Sequence, residues 1–271
     1  MAGSVEKNTI IPQKLTLKEK FSYGTGDIGF GFMFDLGQIY LLKFYTDVLG
    51  LPVAVAGLVF LVTKIWDAFA DISIGTWIDN RKKIGPKGKF RPFILYATIP
   101  LAIITIISFI TPSFTITGKI IWAYVTYMAF GSIYSVGNIA FGSMIPAMTT
   151  DPNERTQLAS FRQAGSNMGL FITTIAFMPI VMLFSNKSTG YMVAVATFAV
   201  LGVLLQIYCY SNIKERNVVQ KPKIAKGSIL KSYKGLFKNT PLLILCLVNL
   251  FTFSAFNVKL AVQVYYCQYV L

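Results

Sequence analysis

Stretches of about twenty mostly apolar residues, long enough to cross a hydrocarbon core of roughly 30 Å as helix, recur along the chain with short polar breaks between them. They predict seven membrane-spanning helices, near 21–46, 54–78, 93–111, 119–148, 158–184, 190–210 and 240–271. The breaks alternate in character. Residues 79–92 and 211–239 are crowded with Lys and Arg, 47–53 has no basic residue, and 112–118 and 185–189 together have only Lys187. The positive-inside rule then places the amino terminus and both basic loops in the cytoplasm of a cell (plasma or inner) membrane. Residues 1–20 lack a short apolar core followed by a small-residue cleavage site, so they read as a polar cytoplasmic tail. The expected class is an all-α membrane protein: a six-helix transmembrane bundle over 21–210, a basic connector at 211–239 suited to an anionic leaflet, and a seventh helix over 240–271.

Composition strengthens this picture: 54% of residues are hydrophobic and only 13% charged, against about a quarter charged in soluble domains. The formal net charge of +14 could suggest a nucleic-acid partner, but the basic residues lie between the apolar stretches, so the bilayer is the partner expected and nucleic acid is not. Cys209, Cys246 and Cys267 stand in apolar surroundings without CxxC spacing and are expected to be buried thiols rather than metal ligands or disulfides. No His is present, so proton handling near neutral pH falls to carboxylates. A nucleophile with its base, a metal cluster and a phosphate-binding loop are all missing, which argues against an enzyme and against a cofactor.

Charges inside the spans carry the candidate chemistry, since each costs roughly 2.5–3.5 kcal/mol at the middle of a membrane helix. In "KIWDAFAD", Lys64, Asp67 and Asp71 follow i, i+3 and i+7 spacing, and Asp67 and Asp71 share a face one turn apart. Two such carboxylates need a cation, a proton or Lys64 as partner, so the pair suits Na⁺ or H⁺; the plainer alternative is a structural ion pair between Lys64 and one Asp. Asp27 and Asp35 add two carboxylates to the first span, with Gly31 between them. Arg162 and Lys259 supply the opposite sign, with snorkelling as the alternative for Arg162. "YMAFGSIYSVGN" mixes aromatic faces with hydrogen-bonding groups, a combination that suits a sugar, although for Tyr127 and Tyr134 alone packing is the simpler reading.

Taken in order, "YGTGDIG", "FYTDVLGL", "KIWDAFAD", "GKFRPFIL" and "NIAFGSMIPAMTTDPNERTQLASFR" resemble the glycoside–pentoside–hexuronide:cation symporters, a branch of the major facilitator superfamily that includes the melibiose and glucuronide carriers. The resemblance implies two facing six-helix bundles with a small-molecule sugar at mid-membrane. It also implies that Asp67, Asp71 and the hydroxyl of Ser135 form the coupling-cation site, beside which the charges in the spans make Lys64 and Asp27 expected charge partners. Ala70 stands where the melibiose branch has an Asn ligand, which tilts the expectation from Na⁺ toward H⁺. Gly31, Asn138 and Gly142 stand where that branch reads galactosides with two Asp and a Trp, so the expected substrate is a glucuronide or other hexuronide. Asp35, Tyr134, Asn138, Arg162 and Lys259 are its expected contacts. A pentoside, xyloside or other oligosaccharide is the alternative within the family, and a non-transporting sugar sensor or inactive fragment the alternative outside it. The resemblance also implies five further helices after the seventh, so a missing carboxy-terminal half is expected.

Overall fold

The computed structural model describes residues 14–81, 85, 88–217 and 239–269, with Phe253 and residues 256–269 described by their backbone alone. The helices are α1 (Leu17–Asp35), α2 (Leu41–Asp47), α3 (Val53–Asn80), α4 (Arg91–Ser108), α5 (Ile116–Met148), α6 (Pro152–Met182), α7 (Lys187–Asn212) and α8 (Thr240–Tyr269). A π-helical turn, Leu36–Tyr40, joins α1 to α2 without a break, so the first predicted span is one helix with a widened turn. Among the described residues no strand forms beyond an isolated bridge between Gly85 and Gly88.

Local chemistry sets the helix starts. Thr16 and Glu19 close a reciprocal capping box on α1. Pro52 and Phe90–Pro92 precede or open α3 and α4, where a missing N–H costs nothing. Asp151 accepts from the Asn153 N–H at 2.9 Å with Pro152 at the first helical position, so α6 begins well before the predicted residue 158. Glu154 and Arg155 in that first turn are what hid the start from an apolar pattern.

The chain divides into two compact units, Met1–Gln220 and Lys221–Leu271. Among the described residues five helices, α3 to α7, are long and apolar enough to cross a membrane. α1 is not among them because Lys18, Glu19, Lys20, Asp27 and Asp35 fall within its 19 residues. α8 lies in the second unit, and its described apolar part, Thr240–Thr252, is shorter. Cys209 is buried as expected, but Cys246 is exposed on α8, where Ile244, Leu245, Leu247 and Leu250 are also exposed.

Within the first unit α1 packs on α6 and α7, and α5 on α3 and α4. Glycines let backbones touch. A Cβ on Gly24 would stand 2.8 Å from the Phe161 carbonyl oxygen, one on Gly29 2.8 Å from that of Gly202, and one on Gly165 would run into the Gly24 carbonyl. Above these crossings Phe44, Phe109, Phe177 and Tyr191 interlock in the core, with Tyr40 stacked on Phe177 at 4.3 Å. α3 buries only Ala56, Val59, Thr63 and Ile78, so most of its circumference, including Leu61, Trp66 and Phe69, lies open.

The end of the bundle that carries the start of α1 is tied by charge. Lys20 pairs with Glu154 at 3.0 Å, and Glu154 also accepts from the Leu15 N–H. After α7 the chain turns back over this end. The Glu215 carboxylate accepts from the N–H groups of Lys89, Phe90 and Arg91 at 2.7, 2.7 and 2.5 Å, capping α4 from outside its own sequence. Gly88, at φ +96°, makes this approach possible, since a Cβ there would meet the carboxylate at 2.5 Å. Arg216 and Asn217 donate backbone N–H groups to the Ala147 carbonyl, each at 2.8 Å, and the Arg216 guanidinium reaches Glu19 at 2.6 Å. Burial alone would raise the Glu19 carboxyl, but the Thr16 N–H and hydroxyl and the Arg216 charge outweigh it and hold Glu19 below the ordinary glutamate range.

Candidate functional site

Among the described residues, three polar clusters bring together the charges that lie within the predicted spans. In the first, Arg162 of α6 reaches across to two helices: its Nε donates to Asp27 Oδ1 of α1 at 3.1 Å and its Nη2 to Asn138 Oδ1 of α5 at 2.7 Å. Only 27% of the Arg162 side chain and 12% of that of Asp27 are exposed. The guanidinium therefore turns inward, and the snorkelling alternative does not describe it. Its carbon lies 5.3 Å from the Phe141 ring, which stacks on Tyr23 at 4.3 Å. The Tyr23 hydroxyl donates to the Phe141 carbonyl at 2.7 Å and so fixes that wall. Gly142 leaves room for the guanidinium, because a Cβ there would stand 3.2 Å from Nη1.

In the second cluster, Lys64 Nζ lies 3.7 Å from Asp67 Oδ2, an i,i+3 ion pair. The other oxygen, Asp67 Oδ1, is buried without a hydrogen-bond partner and rests against Gly131 of α5, where a Cβ would collide with it. α3 and α5 run parallel here, since Phe60 meets Tyr127 at 4.6 Å while Asp67 meets Gly131. One turn further on, Asp71 is exposed on α3 and Ser135 buried on α5, so register sets all three expected cation-site residues along one seam. Trp66 Nε1 donates to Ser132 Oγ at 2.9 Å and pins the same seam from its open side.

The third is Asp35, the last residue of α1 before the π-helical turn. Its Oδ2 is buried without a partner and would lie 3.5 Å from a Cβ on Gly31. The preceding Phe34 stacks on Tyr134 at 4.2 Å, with Phe30 edge-on to Tyr134 and Lys64 Nζ 5.9 Å above the Phe34 ring. Lys259 falls on α8, and its side chain lies outside the described residues.

Among the described residues no group of three or more His, Cys, Asp or Glu is placed to hold a metal ion. A cation at Asp67 and Asp71 would draw on the unpartnered Asp67 Oδ1 and on neutral oxygens such as the Ser135 hydroxyl. Sequence reasoning grouped Arg162 with the substrate contacts but missed its bonds to Asp27 and Asn138. Their separations of 135 and 24 residues leave no local trace, and charge balance within the spans was the available signal.

The model of a family described as MFS/sugar transport protein matches residues 22–271. The chain belongs to that family. Three relatives of this chain are similar to it over most of its length. A protein of Escherichia coli (strain K12) named "Putative sulfoquinovose importer" is 50% identical over 258 residues, covering 95% of this chain and 55% of that protein. Another from the same organism, named "Putative 2,3-dihydroxypropane-1-sulfonate exporter", is 47% identical over 261 residues, with 95% and 57% covered. The third, "Uncharacterized symporter YjmB" of Bacillus subtilis (strain 168), is 48% identical over 260 residues, with 95% and 56% covered. The chain thus spans a little over half the length of these relatives. Family membership and the five apolar helices make it a multi-pass membrane protein of a transporter family rather than an enzyme.

Proposed function

We propose that this chain serves the cation-coupled symport of an anionic sugar derivative, with a sulfonated sugar ahead of a glucuronide, and with its amino terminus cytoplasmic. The observation that carries the reading is the inward-turned Arg162, held between α1 and α5 beside aromatic faces. A guanidinium offers paired, planar N–H donors that match the oxygens of a sulfonate or a carboxylate. Two of the relatives are named for sulfonated compounds, which favours the sulfonate. The Phe34–Tyr134 pair supplies flat apolar faces for a sugar ring, and Asn138 supplies an amide for its hydroxyls. Asp67, Asp71 and Ser135, with Lys64 as charge partner, are the place for the coupling cation, and the relative named a symporter supports coupling.

The test is equilibrium binding of sulfoquinovose, glucuronic acid and glucose to the purified chain in lipid nanodiscs, wild type against Arg162→Gln. Truncating one member of a buried, hydrogen-bonded charge pair costs about 2–5 kcal/mol, so anion affinity should fall at least about thirtyfold while glucose changes little. Equal affinity for glucose and the two anions, unchanged in the variant, sinks the anionic-sugar reading.

A further inference from the structure

We infer that Asp35 binds a proton together with the anionic substrate, at a site separate from the α3 carboxylates. The inference rests on the anionic-sugar reading above and on a charge count. Four aspartates lie within the first two spans. Asp27 has Arg162 at 3.1 Å and Asp67 has Lys64 at 3.7 Å, while Asp71 is exposed. Asp35 alone of the four combines a buried, unpartnered carboxyl oxygen with no cation within 4.0 Å among the described residues.

The groups facing it offer no relief. On its own helix Asp27 carries the same sign, about 12 Å away along the axis. From α6, Arg162 is already engaged by Asp27 and Asn138. From α5 comes the neutral phenol of Tyr134, and from α3 come Lys64, paired with Asp67 at 3.7 Å and over the Phe34 ring at 5.9 Å, and the acidic Asp67 and Asp71. Lys43 and Asp47 sit at the far side of the π-helical turn on α2, and α4 and α7 carry charge only at their first residues, Arg91 and Lys187.

With Asp35 ionised, the set Asp27, Arg162 and Asp35 has a net charge of −1 before any substrate arrives. A sulfonate or carboxylate at Arg162 would make it −2 in a low-dielectric setting, where like charges repel strongly. One proton on the Asp35 carboxylate restores −1. Binding the anion therefore draws a proton from solvent onto an Asp35 oxygen, and releasing the anion returns it; no other bond changes. The junction of α1 with the widened turn gives that carboxyl a place in the helix where the backbone ladder is already irregular.

The experiment adds sulfoquinovose to the chain in weakly buffered nanodiscs and reads proton uptake with a pH dye, with glucose as the neutral control. Uptake approaching one proton per bound sulfoquinovose, none with glucose, is expected for wild type. Asp35→Asn should bind sulfoquinovose without uptake, whereas Asp47→Asn, at an exposed carboxyl beyond the π-helical turn, should still show it. In wild type the affinity should weaken toward about tenfold per pH unit on the alkaline side, and this slope should flatten in Asp35→Asn. A third arm needs no ligand: the infrared carbonyl stretch of a protonated carboxyl, titrated with pH, should disappear in Asp35→Asn and persist in Asp47→Asn. Uptake and slope that persist in Asp35→Asn overturn the inference while leaving the anionic-sugar reading intact. If sulfoquinovose does not bind at all, the reading of the substrate falls, and the infrared titration alone decides whether Asp35 exchanges a proton.

Discussion

Gly131 decides where the Asp67 carboxylate can go. An added Cβ there would collide with Asp67 Oδ1, so its missing side chain is the space that oxygen occupies. Gly131→Ala should therefore push the carboxylate out of the seam at a cost of about 1–3 kcal/mol, typical of overpacking. The thermal midpoint in detergent checks this, and Asp67→Ala in the same background should recover most of the loss because the colliding atoms are gone. Residue-scale reading of the sequence reached Asp27, Asp35, Lys64, Asp67, Asp71 and Arg162 because charge in an apolar run is conspicuous. It could not reach Gly131, whose role exists only through a contact 64 positions away. Nor could spacing show that Asp67 and Asp71, alike in sequence, differ so much in burial.

At the scale of elements, the glycines of α1 and α6 act as a pair of flattened faces. Gly165→Leu should force α1 and α6 apart at the Gly24 carbonyl and destabilise the first unit by about 1–3 kcal/mol or more, since backbone cannot yield as a side chain can. Gly57 offers the opposite case. It lies inside α3 with nothing within 4 Å of an added Cβ, so Gly57→Ala should stabilise by about 0.5–1 kcal/mol through backbone entropy. Thermal melts of the two variants side by side separate packing glycines from idle ones, and a Gly57→Ala loss as large as that of Gly165→Leu contradicts the assignment. The apolar pattern placed most helix boundaries within a few residues. It missed the π-helical turn, because Leu36–Tyr40 differs from its neighbours in hydrogen-bond step and not in residue type.

At the scale of the molecule, the charged end behaves as a pH-sensitive clamp. Glu19 has its carboxyl held below its unfolded range, so its contribution is complete above the unfolded glutamate value of about 4.3 and is lost as pH falls through the lower folded one. The melting temperature should therefore drop on acidification below about pH 4.3, and less steeply in Glu19→Gln. Glu215→Ala, which orphans three N–H groups at the start of α4, should cost about 1–3 kcal/mol near neutral pH as well. Sequence reading took 211–239 as a basic connector throughout. The acidic Glu215 standing among its lysines was the one visible hint that the first residues of that connector belong to the bundle instead.

The fold-back at 213–217 also gives the bundle a direction in time. During synthesis α1 to α7 all leave the ribosome before Glu215, Arg216 and Asn217 do, so α4 stays uncapped and Ala147 keeps its carbonyl free until the sixth apolar stretch has followed. A nascent chain arrested short of these residues should be a loose assembly of helices. One arrested just beyond them already holds the bolt that closes it.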